Sequence, residues 1–194
     1  MRIVLLGTLA SLMLISWRVT EFAGADPYAA VDDPGQRMIM GADKCKPCHM
    51  SPKKGAQYKS WSGSNHAKAF ETLGTDKAKE IATAKGLGNP QEEMACLKCH
   101  VTGAGLDAKF HGDKYKKEDG VGCESCHGAG GDYWTKEVMQ AVTDGTTDGA
   151  SVGLIKPDEK VCKTCHNEES PTAKEFNFAE MYPKIAHERP KDGK

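Results

Sequence analysis

Four copies of one short motif contain all the cysteines of this chain. Each copy is Cys-X-X-Cys followed at once by histidine, and we call the copies frames 1 to 4 in chain order. Paired thiols at this spacing form zinc sites or redox dithiols, or attach a c-type haem when histidine follows directly. The motif residues are the cysteines Cys45, Cys48, Cys96, Cys99, Cys123, Cys126, Cys162 and Cys165 and the histidines His49, His100, His127 and His166.

The histidine after each cysteine pair decides between these chemistries. The chain has 7 His among 194 residues, so four chance placements directly after the pairs have odds of about one in a million. Zinc sites of four cysteines would leave these histidines unused, and a disulfide within Cys-X-X-Cys closes too short a loop to stabilise much. We therefore predict four covalent haem c groups, each with two thioether bonds and the adjacent histidine as proximal iron ligand.

The composition supports a core that side chains alone do not fill. Hydrophobic residues make up 39% of the chain and aromatic residues 7%, which is a thin apolar inventory for this length. A net charge of −1 gives no electrostatic footprint for nucleic acid. We expect a mainly α fold with extensive loops, a multihaem cytochrome c whose core is built around four haems.

The residue pattern predicts five helices and one loop or short hairpin. The helices are expected over 56–73 with a break near Gly63, 75–85 capped by Thr75, 91–100, 133–142 capped by Asp132, and 174–188, and the loop or hairpin over 103–122.

The N-terminal segment predicts export. Arg2 precedes the apolar stretch 3–17, and Ala23-Gly24-Ala25 forms a small-x-small cleavage site. As an uncleaved anchor, this stretch would be short for a bilayer core of about 30 Å. We predict a signal peptide over 1–25, a tetraheme cytochrome c domain over 26–194, and a periplasmic or extracellular location. The mature charge of −2 becomes more negative when haem propionates ionise, which favours docking to basic patches on redox partners.

The second axial ligands must come from outside the four frames. The remaining histidines are His66, His111 and His187, so seven histidines face eight axial positions. Imidazole suits iron well, and methionine is the other soft neutral donor for haem iron. Met139 follows His127 by twelve residues on a predicted helix and is the methionine candidate.

Several longer motifs resemble the cytochrome c-554 family of tetraheme c-type cytochromes. The resemblance covers nearly the whole mature chain, in the order expected for the family. Its matching stretches are Trp61 with SNHAKA at 64–69, CLKCHVTG at 96–103, GVGCESCHG at 120–128 and FAEMYPKIAH at 178–187.

The resemblance implies a mainly helical fold with haems in closely stacked pairs. It also implies that His66 ligates the iron held by His127 and that His187 ligates the iron held by His166. The family's ligand for haem 1 is a histidine some ten residues after frame 3, but residues 132–139 contain none. Met139 is then the nearest candidate for haem 1 and His111 the alternative. The family's second haem is five-coordinate, so the iron held by His100 would have an open face, unless His111 fills it.

These features favour an electron carrier that passes electrons between a redox protein donor and an acceptor. One alternative is a haem enzyme that reduces a small nitrogen oxide at a five-coordinate iron, which would need polar groups above that face. Another is a subunit of a multihaem assembly, in which a neighbouring chain supplies a missing axial ligand.

Overall fold

The computed structural model describes residues 37–187, and the structural statements below concern this part of the chain. Its elements are short α-helices joined by loops and 3-10 turns, and the longest of these helices has nine residues. The predicted signal peptide over 1–25 lies outside the described residues. The helices are α1 Ala42–His49, α2 Gln57–Ser62, α3 Ala69–Thr72, α4 Asp76–Ala84, α5 Met94–His100, α6 Cys123–His127, α7 Lys136–Thr143, α8 Glu159–Lys163 and α9 Phe178–Met181.

The described residues contain very little β structure. Within 37–187, β pairing is limited to an isolated bridge between Ile39 and His111. The segment 103–122, expected as a loop or hairpin, is a loop with 3-10 turns at Ala108–Phe110 and Lys117–Asp119. The prediction of a mainly α fold with extensive loops is thus confirmed for this part of the chain.

Two helix predictions are confirmed in detail: one helix is interrupted, and another begins, at the residue that the sequence indicated. The helix expected over 56–73 is divided into α2 and α3, with the break beginning at Gly63. Helix α4 follows Thr75, whose Oγ1 accepts a hydrogen bond from the backbone N–H of Ala78 at 3.3 Å. This bond satisfies one of the free N–H groups of the first turn, as expected for an N-cap threonine.

Two other helix predictions were wrong in extent. Helix α7 is capped by Thr135 rather than Asp132, because Gly130–Asp132 forms a 3-10 turn before it. The helix expected over 174–188 is reduced to α9 and a 3-10 turn at Tyr182–Lys184. Pro183 explains the early end, since proline has no N–H to continue the helical hydrogen bonds.

Side chains alone form only a small core. One buried cluster consists of Phe70, Leu73 and Val101, with Leu97 and Tyr115 packed against it. Other buried apolar residues lie separately, namely Ile39, Met40, Ala42, Ala82 and Tyr133. No helix among the described residues is long and apolar enough to cross a membrane.

Candidate haem-binding sites

Frame 3 lies on α6 and is held in place by two close backbone approaches. Gly120 has φ +64°, and a Cβ there would lie 2.6 Å from the carbonyl oxygen of His66. Gly128 has φ +80°, and its Cβ would lie 2.3 Å from the carbonyl oxygen of Gly153. Both positions therefore require glycine, for conformation and for space. These glycines fix α6 between the His66 loop and the segment around Gly153.

Hydrogen bonds fasten the start of α6 to the end of frame 2. Thr102, three residues after Cys99, is buried, and its Oγ1 accepts from the Gly122 N–H at 2.7 Å. The same hydroxyl donates to the Gly120 carbonyl at 3.1 Å and lies 2.7 Å from Ser125 Oγ. Frames 2 and 3, which are far apart in sequence, are therefore neighbours in the fold.

A buried carboxylate joins frame 3 to the segment that precedes frame 1. Glu124 is 3% exposed, and its oxygens accept from the N–H groups of Met40, Gly41 and Gly130 at 2.7–2.8 Å. Burial raises the pKa of this carboxyl, while the three N–H groups lower it. The side chain thus supplies acceptors to three backbone donors in a region where water has little access.

The cysteines of different frames lie against one another in two pairs. The thiols of Cys45 and Cys123 are in hydrogen-bond contact, which raises the pKa of Cys45 and lowers that of Cys123. Cys99 and Cys165 are paired in the same way, and the contact lowers the pKa of Cys165 to about 6. Frame 1 is therefore adjacent to frame 3, and frame 2 is adjacent to frame 4. None of the eight cysteines forms a disulfide.

A further contact connects the two pairs of frames. Burial, followed by the charges of Cys162, Cys123 and Cys165, raises the pKa of Cys126 to about 11. Frame 3 therefore lies beside frames 1, 2 and 4, and frame 2 also lies beside frame 4, since Cys99, Ser125 and Cys165 line one small cavity.

Three of the four motif histidines have one ring nitrogen engaged with an oxygen acceptor. The Nδ1 atoms of His49, His100 and His127 lie 3.2, 2.7 and 3.3 Å from Gln57 Oε1 and the carbonyls of Ala69 and Ile155, respectively. Because these oxygens can only accept, Nδ1 carries the proton and Nε2 keeps its lone pair. This is the second-sphere arrangement that orients histidine ligands toward a metal.

His166 is oriented by an aromatic contact instead. Its ring is stacked on Phe176 with centroids 4.8 Å apart and an interplanar angle of 17°. Burial lowers the pKa of His166, as it does for His66 and His127. A lowered pKa favours neutral imidazole, which is the form that binds a metal.

Two pairs of histidine rings have their centroids at the separation that one iron between them would require, with interplanar angles of 64° and 56°. The ring centroids of His66 and His166 are 6.0 Å apart, and those of His127 and His187 are 5.9 Å apart. Imidazole nitrogen binds a metal at about 2.0 Å, so two rings on opposite sides of one ion have centres about 6 Å apart. The residues present therefore fit two sites in which iron has a histidine on each side.

These ring contacts differ from the pairing that the family resemblance implied. That pairing placed His66 with His127 and His187 with His166, whereas the structure brings together the opposite partners. The reason is visible in the backbone. The His66 carbonyl accepts from Val121 N–H at 2.9 Å, beside frame 3, and the ring reaches frame 4, which lies next to frame 3. Iron ligation by His66 and His187 stays a prediction, with the partners open to test.

The other two candidate ligands, His111 and Met139, make no ring contact or hydrogen bond with a motif histidine within residues 37–187. His111 is half-buried, its ring is stacked on Tyr115 at 3.8 Å, and its Nε2 lies 3.4 Å from the Gly103 carbonyl oxygen. Met139 is half-buried on α7, where its backbone carbonyl accepts from Thr143 Oγ1. Iron ligation by His111 or Met139 stays a prediction.

The segment that lacks the expected histidine is occupied by aromatic residues. Tyr133 is buried, and its hydroxyl donates to the Gly128 carbonyl at 2.6 Å. Trp134 is exposed, with Lys44 Nζ 4.5 Å from the centre of its ring. In the described residues, the rings of His49 and His100 have no second histidine against them, and no group of three or more His, Cys, Asp or Glu could hold a metal ion.

Several residues that build the sites were not among the sequence candidates. Glu124, Thr102 and the glycines 120 and 128 position the frames without belonging to the attachment motif. The available sequence signal was the extended motif GVGCESCHG, in which glycines flank frame 3 and glutamate lies within it. Periodicity gave no sign that this glutamate would be buried.

Comparison with known proteins supports the chemistry indicated by the frames. Residues 44–128 match the family described as cytochrome c554 and c-prime. Cytochrome c-554 of Nitrosomonas europaea (strain ATCC 19718) is 38% identical over 98 residues, which are 48% of this chain and 39% of that protein. The chain thus spans about two fifths of the length of the relative it matches, and no solved structure matches it.

The helical fold, the attachment frames and these matches indicate a c-type cytochrome, a protein class that binds haem c covalently. Within that class, the match over residues 44–128 is to the cytochrome c-554 family. The family match includes frames 1 to 3 and ends before frame 4.

Proposed function

We propose that this protein is an exported tetraheme cytochrome that carries electrons between two redox proteins through its four haems. The observation that carries the proposal is the arrangement of the four frames, in which frame 3 lies beside frames 1, 2 and 4 and frame 2 also lies beside frame 4. A continuous series of attachment sites suits stepwise electron transfer better than isolated sites would. Haem c supplies the redox chemistry, and the chain holds, orients and insulates each group.

The side chains have defined roles in this proposal. Each cysteine pair anchors one haem, and the adjacent histidine binds its iron through Nε2. His66 is the second ligand of the iron held by His166, and His187 is that of the iron held by His127, in accordance with the ring separations near 6 Å. Met139 or His111 is the second ligand of the iron held by His49.

The proposed haem count also accounts for the small apolar core. The described chain buries few large apolar side chains, so four macrocycles would provide much of the missing buried surface. Folding and haem attachment are then linked, as they are for small metal-dependent domains. We infer that the chain without haem is largely unfolded.

Mass measurement of the holoprotein tests the count directly. Protein produced with a c-type maturation system is expected to carry four covalent haems. The double variant Cys162→Ala/Cys165→Ala should carry three, because frame 4 loses both thioether bonds. A mass corresponding to three haems in the unchanged protein would contradict the role of frame 4, which lies outside the family match.

Ligand variants test the proposed pairing. His66→Ala should convert one low-spin iron to high spin in the electron paramagnetic resonance spectrum of the oxidised protein, and His187→Ala should convert a different one. The matched control for the His66 loop is Asn65→Gln, a substitution of an exposed, uncharged residue. It should leave the electron paramagnetic resonance signals of all the irons unchanged. If neither histidine variant changes any iron, the ligand assignment is wrong.

Export is proposed from the N-terminal segment over 1–25. Fractionation of producing cells should place the mature protein in the periplasm or the medium, with an N-terminus near Asp26. Recovery of an uncleaved, membrane-bound chain would instead favour an anchor.

A second candidate function is ligand chemistry at an open iron. Its specific support is that His100 has no second histidine against its ring in the described residues, while Nδ1 is held by the Ala69 carbonyl. An iron there could bind a small nitrogen oxide. Nitric oxide added to the reduced protein should shift a high-spin signal, and a protein whose irons are all low-spin and inert to this ligand would exclude the candidate.

A further inference from the structure

The segment from Lys44 to Phe70 has an unusual charge distribution. It contains six lysines and no aspartate or glutamate, although the whole chain has 27 acidic and 26 basic residues. Carboxylates from elsewhere neutralise only part of it. Among the described residues, Lys44 pairs with Asp113 at 2.9 Å, and the remaining lysines of the segment form no ion pair.

Four of these lysines lie in the short segment 46–59, which overlaps frame 1 and contains the turn between α1 and α2. We call them the lysine patch: Lys46, Lys53, Lys54 and Lys59, all of which are exposed. Helices α1 and α2 fold against each other, with Lys46 Nζ 5.3 Å from the ring centre of Tyr58. Gln57 bridges the turn, because it contacts His49 Nδ1 and donates to the Lys54 carbonyl.

Exposed apolar atoms accompany the patch. Pro47, Cys48, Met50 and Pro52 are all exposed, and Met50 is 39% exposed. Cys48 is also the one exposed cysteine of the eight, all of which are described. The thioether bond to Cys48 would therefore form at the protein surface. An apolar centre with a charged rim is the usual anatomy of a protein interface.

Asp43, the carboxylate on α1, offsets the patch only in part. Asp43 accepts from Lys116 Nζ at 2.6 Å and from the Tyr58 hydroxyl at 2.9 Å. These two contacts hold its pKa below the usual range. Lys116, which lies outside the patch, therefore balances most of the charge of Asp43, and Lys46 is the one patch lysine whose charge also acts on it. The four lysines of the patch keep a net positive charge.

We propose that the lysine patch is the docking surface for an acidic redox protein, which exchanges electrons with the haem of frame 1. This inference rests on the proposed electron-carrier function and specifies its partner. It reverses the expectation from net charge, which favoured basic patches on partners. The local field at the docking face, and not the total charge, steers association. A protein is favoured over a lipid surface because the patch surrounds a cofactor attachment site.

The test uses a plant-type ferredoxin, an acidic iron–sulfur protein, as the reductant of the oxidised holoprotein. Stopped-flow mixing gives the second-order rate of haem reduction at low and high ionic strength. The patch variant is Lys53→Glu/Lys54→Glu/Lys59→Glu. The matched control, Lys136→Glu/Lys156→Glu/Lys174→Glu, changes the net charge equally at exposed lysines outside the patch.

The unchanged protein should react fastest at low salt and slow as salt screens the attraction. The patch variant should react about tenfold or more slowly at low salt, because complementary charge raises association rates by about 10 to 1000-fold. The control variant should change by less than about threefold. The difference between the two variants should disappear at high salt. Equal slowing in both variants would assign the effect to net charge and overturn the proposal.

Two further measurements separate the possible failures. Dithionite reduction of each variant counts the reducible haems independently of docking. Absence of haem would refute the proposed function itself, whereas normal dithionite reduction with unchanged ferredoxin rates would refute the patch alone. Sedimentation with vesicles of phosphatidylserine and phosphatidylcholine tests the lipid alternative. Vesicle binding that is lost in the patch variant, with unchanged ferredoxin rates, would overturn the proposal in favour of a membrane surface.

Discussion

Replacement of Glu124 by glutamine should destabilise the holoprotein by removing one acceptor from a buried site with three donors. Glu124 Oε1 accepts from the N–H groups of Met40 and Gly130, and Oε2 accepts from Gly41. Glutamine keeps the shape of the side chain but has only one oxygen. With that oxygen in the Oε1 position, the amide NH₂ faces the Gly41 N–H, and two donors meet without an acceptor.

The expected loss follows from hydrogen-bond energetics. A buried donor without an acceptor costs about 1–3 kcal/mol, and each bond to a charged acceptor is worth about 1 kcal/mol more than its neutral equivalent. Removal of the buried charge offsets part of this loss of stability, because an ionised group is costly to desolvate. The net effect of Glu124→Gln is therefore a loss of about 2–3 kcal/mol in the free energy of unfolding.

Guanidinium unfolding of the oxidised holoprotein, followed by far-ultraviolet circular dichroism, measures this difference. The matched control is Glu137→Gln, an exposed glutamate on α7, which should stay within about 0.5 kcal/mol of the unchanged protein. If Glu124→Gln is as stable as the control, the carboxylate is not the acceptor that holds the frame 1 segment against frame 3.

Three further predictions concern single contacts. The pKa of Asp43 is held below 3.8 by the Lys116 ammonium and then the Tyr58 hydroxyl, so its contribution to stability is present above pH 3.8 and lost as pH falls through the lower folded value. Unfolding curves of Asp43→Asn should accordingly approach those of the unchanged protein in acid, and a difference that grows in acid would contradict this. Met139→Ala should leave the iron held by His49 high-spin or bound to another donor, with a changed reduction potential; unchanged spectra and potentials would make Met139 a packing residue. Trp61→Phe removes a 2.9 Å hydrogen bond from Nε1–H to the Val121 carbonyl and should cost about 1 kcal/mol in chemical unfolding, and no loss would show that water replaces this bond.

The local features of the fold could be predicted because local chemistry determines them. Thr75 caps α4 because its side chain and the N–H of Ala78 are close in sequence. The break after α2 follows from Gly63 and the polar stretch behind it. The attachment motif is also local, since two thiols and one imidazole must reach the same macrocycle. Neighbouring residues carry enough information for all three.

The pairing of histidines could not be predicted in the same way. His66 and His166 are a hundred residues apart, and His127 and His187 are sixty apart, so no periodicity relates them. Their approach depends on backbone contacts at Gly120 and Gly128, which place α6 next to both the His66 loop and the segment before frame 4. The count of histidines outside the frames supplied the ligand candidates, but the partners depend on this packing.

The C-terminal segment shows how strongly the proposed haem ligation would shape the fold. Residues 171–187 are exposed almost throughout, with only Phe176 and Phe178 half-buried. The contacts that bring the segment back are two ring contacts, from Phe176 to His166 and from His187 to His127. So little buried surface stabilises a chain segment weakly. A bond from His187 to the iron of frame 3 would therefore be the main interaction that docks this segment.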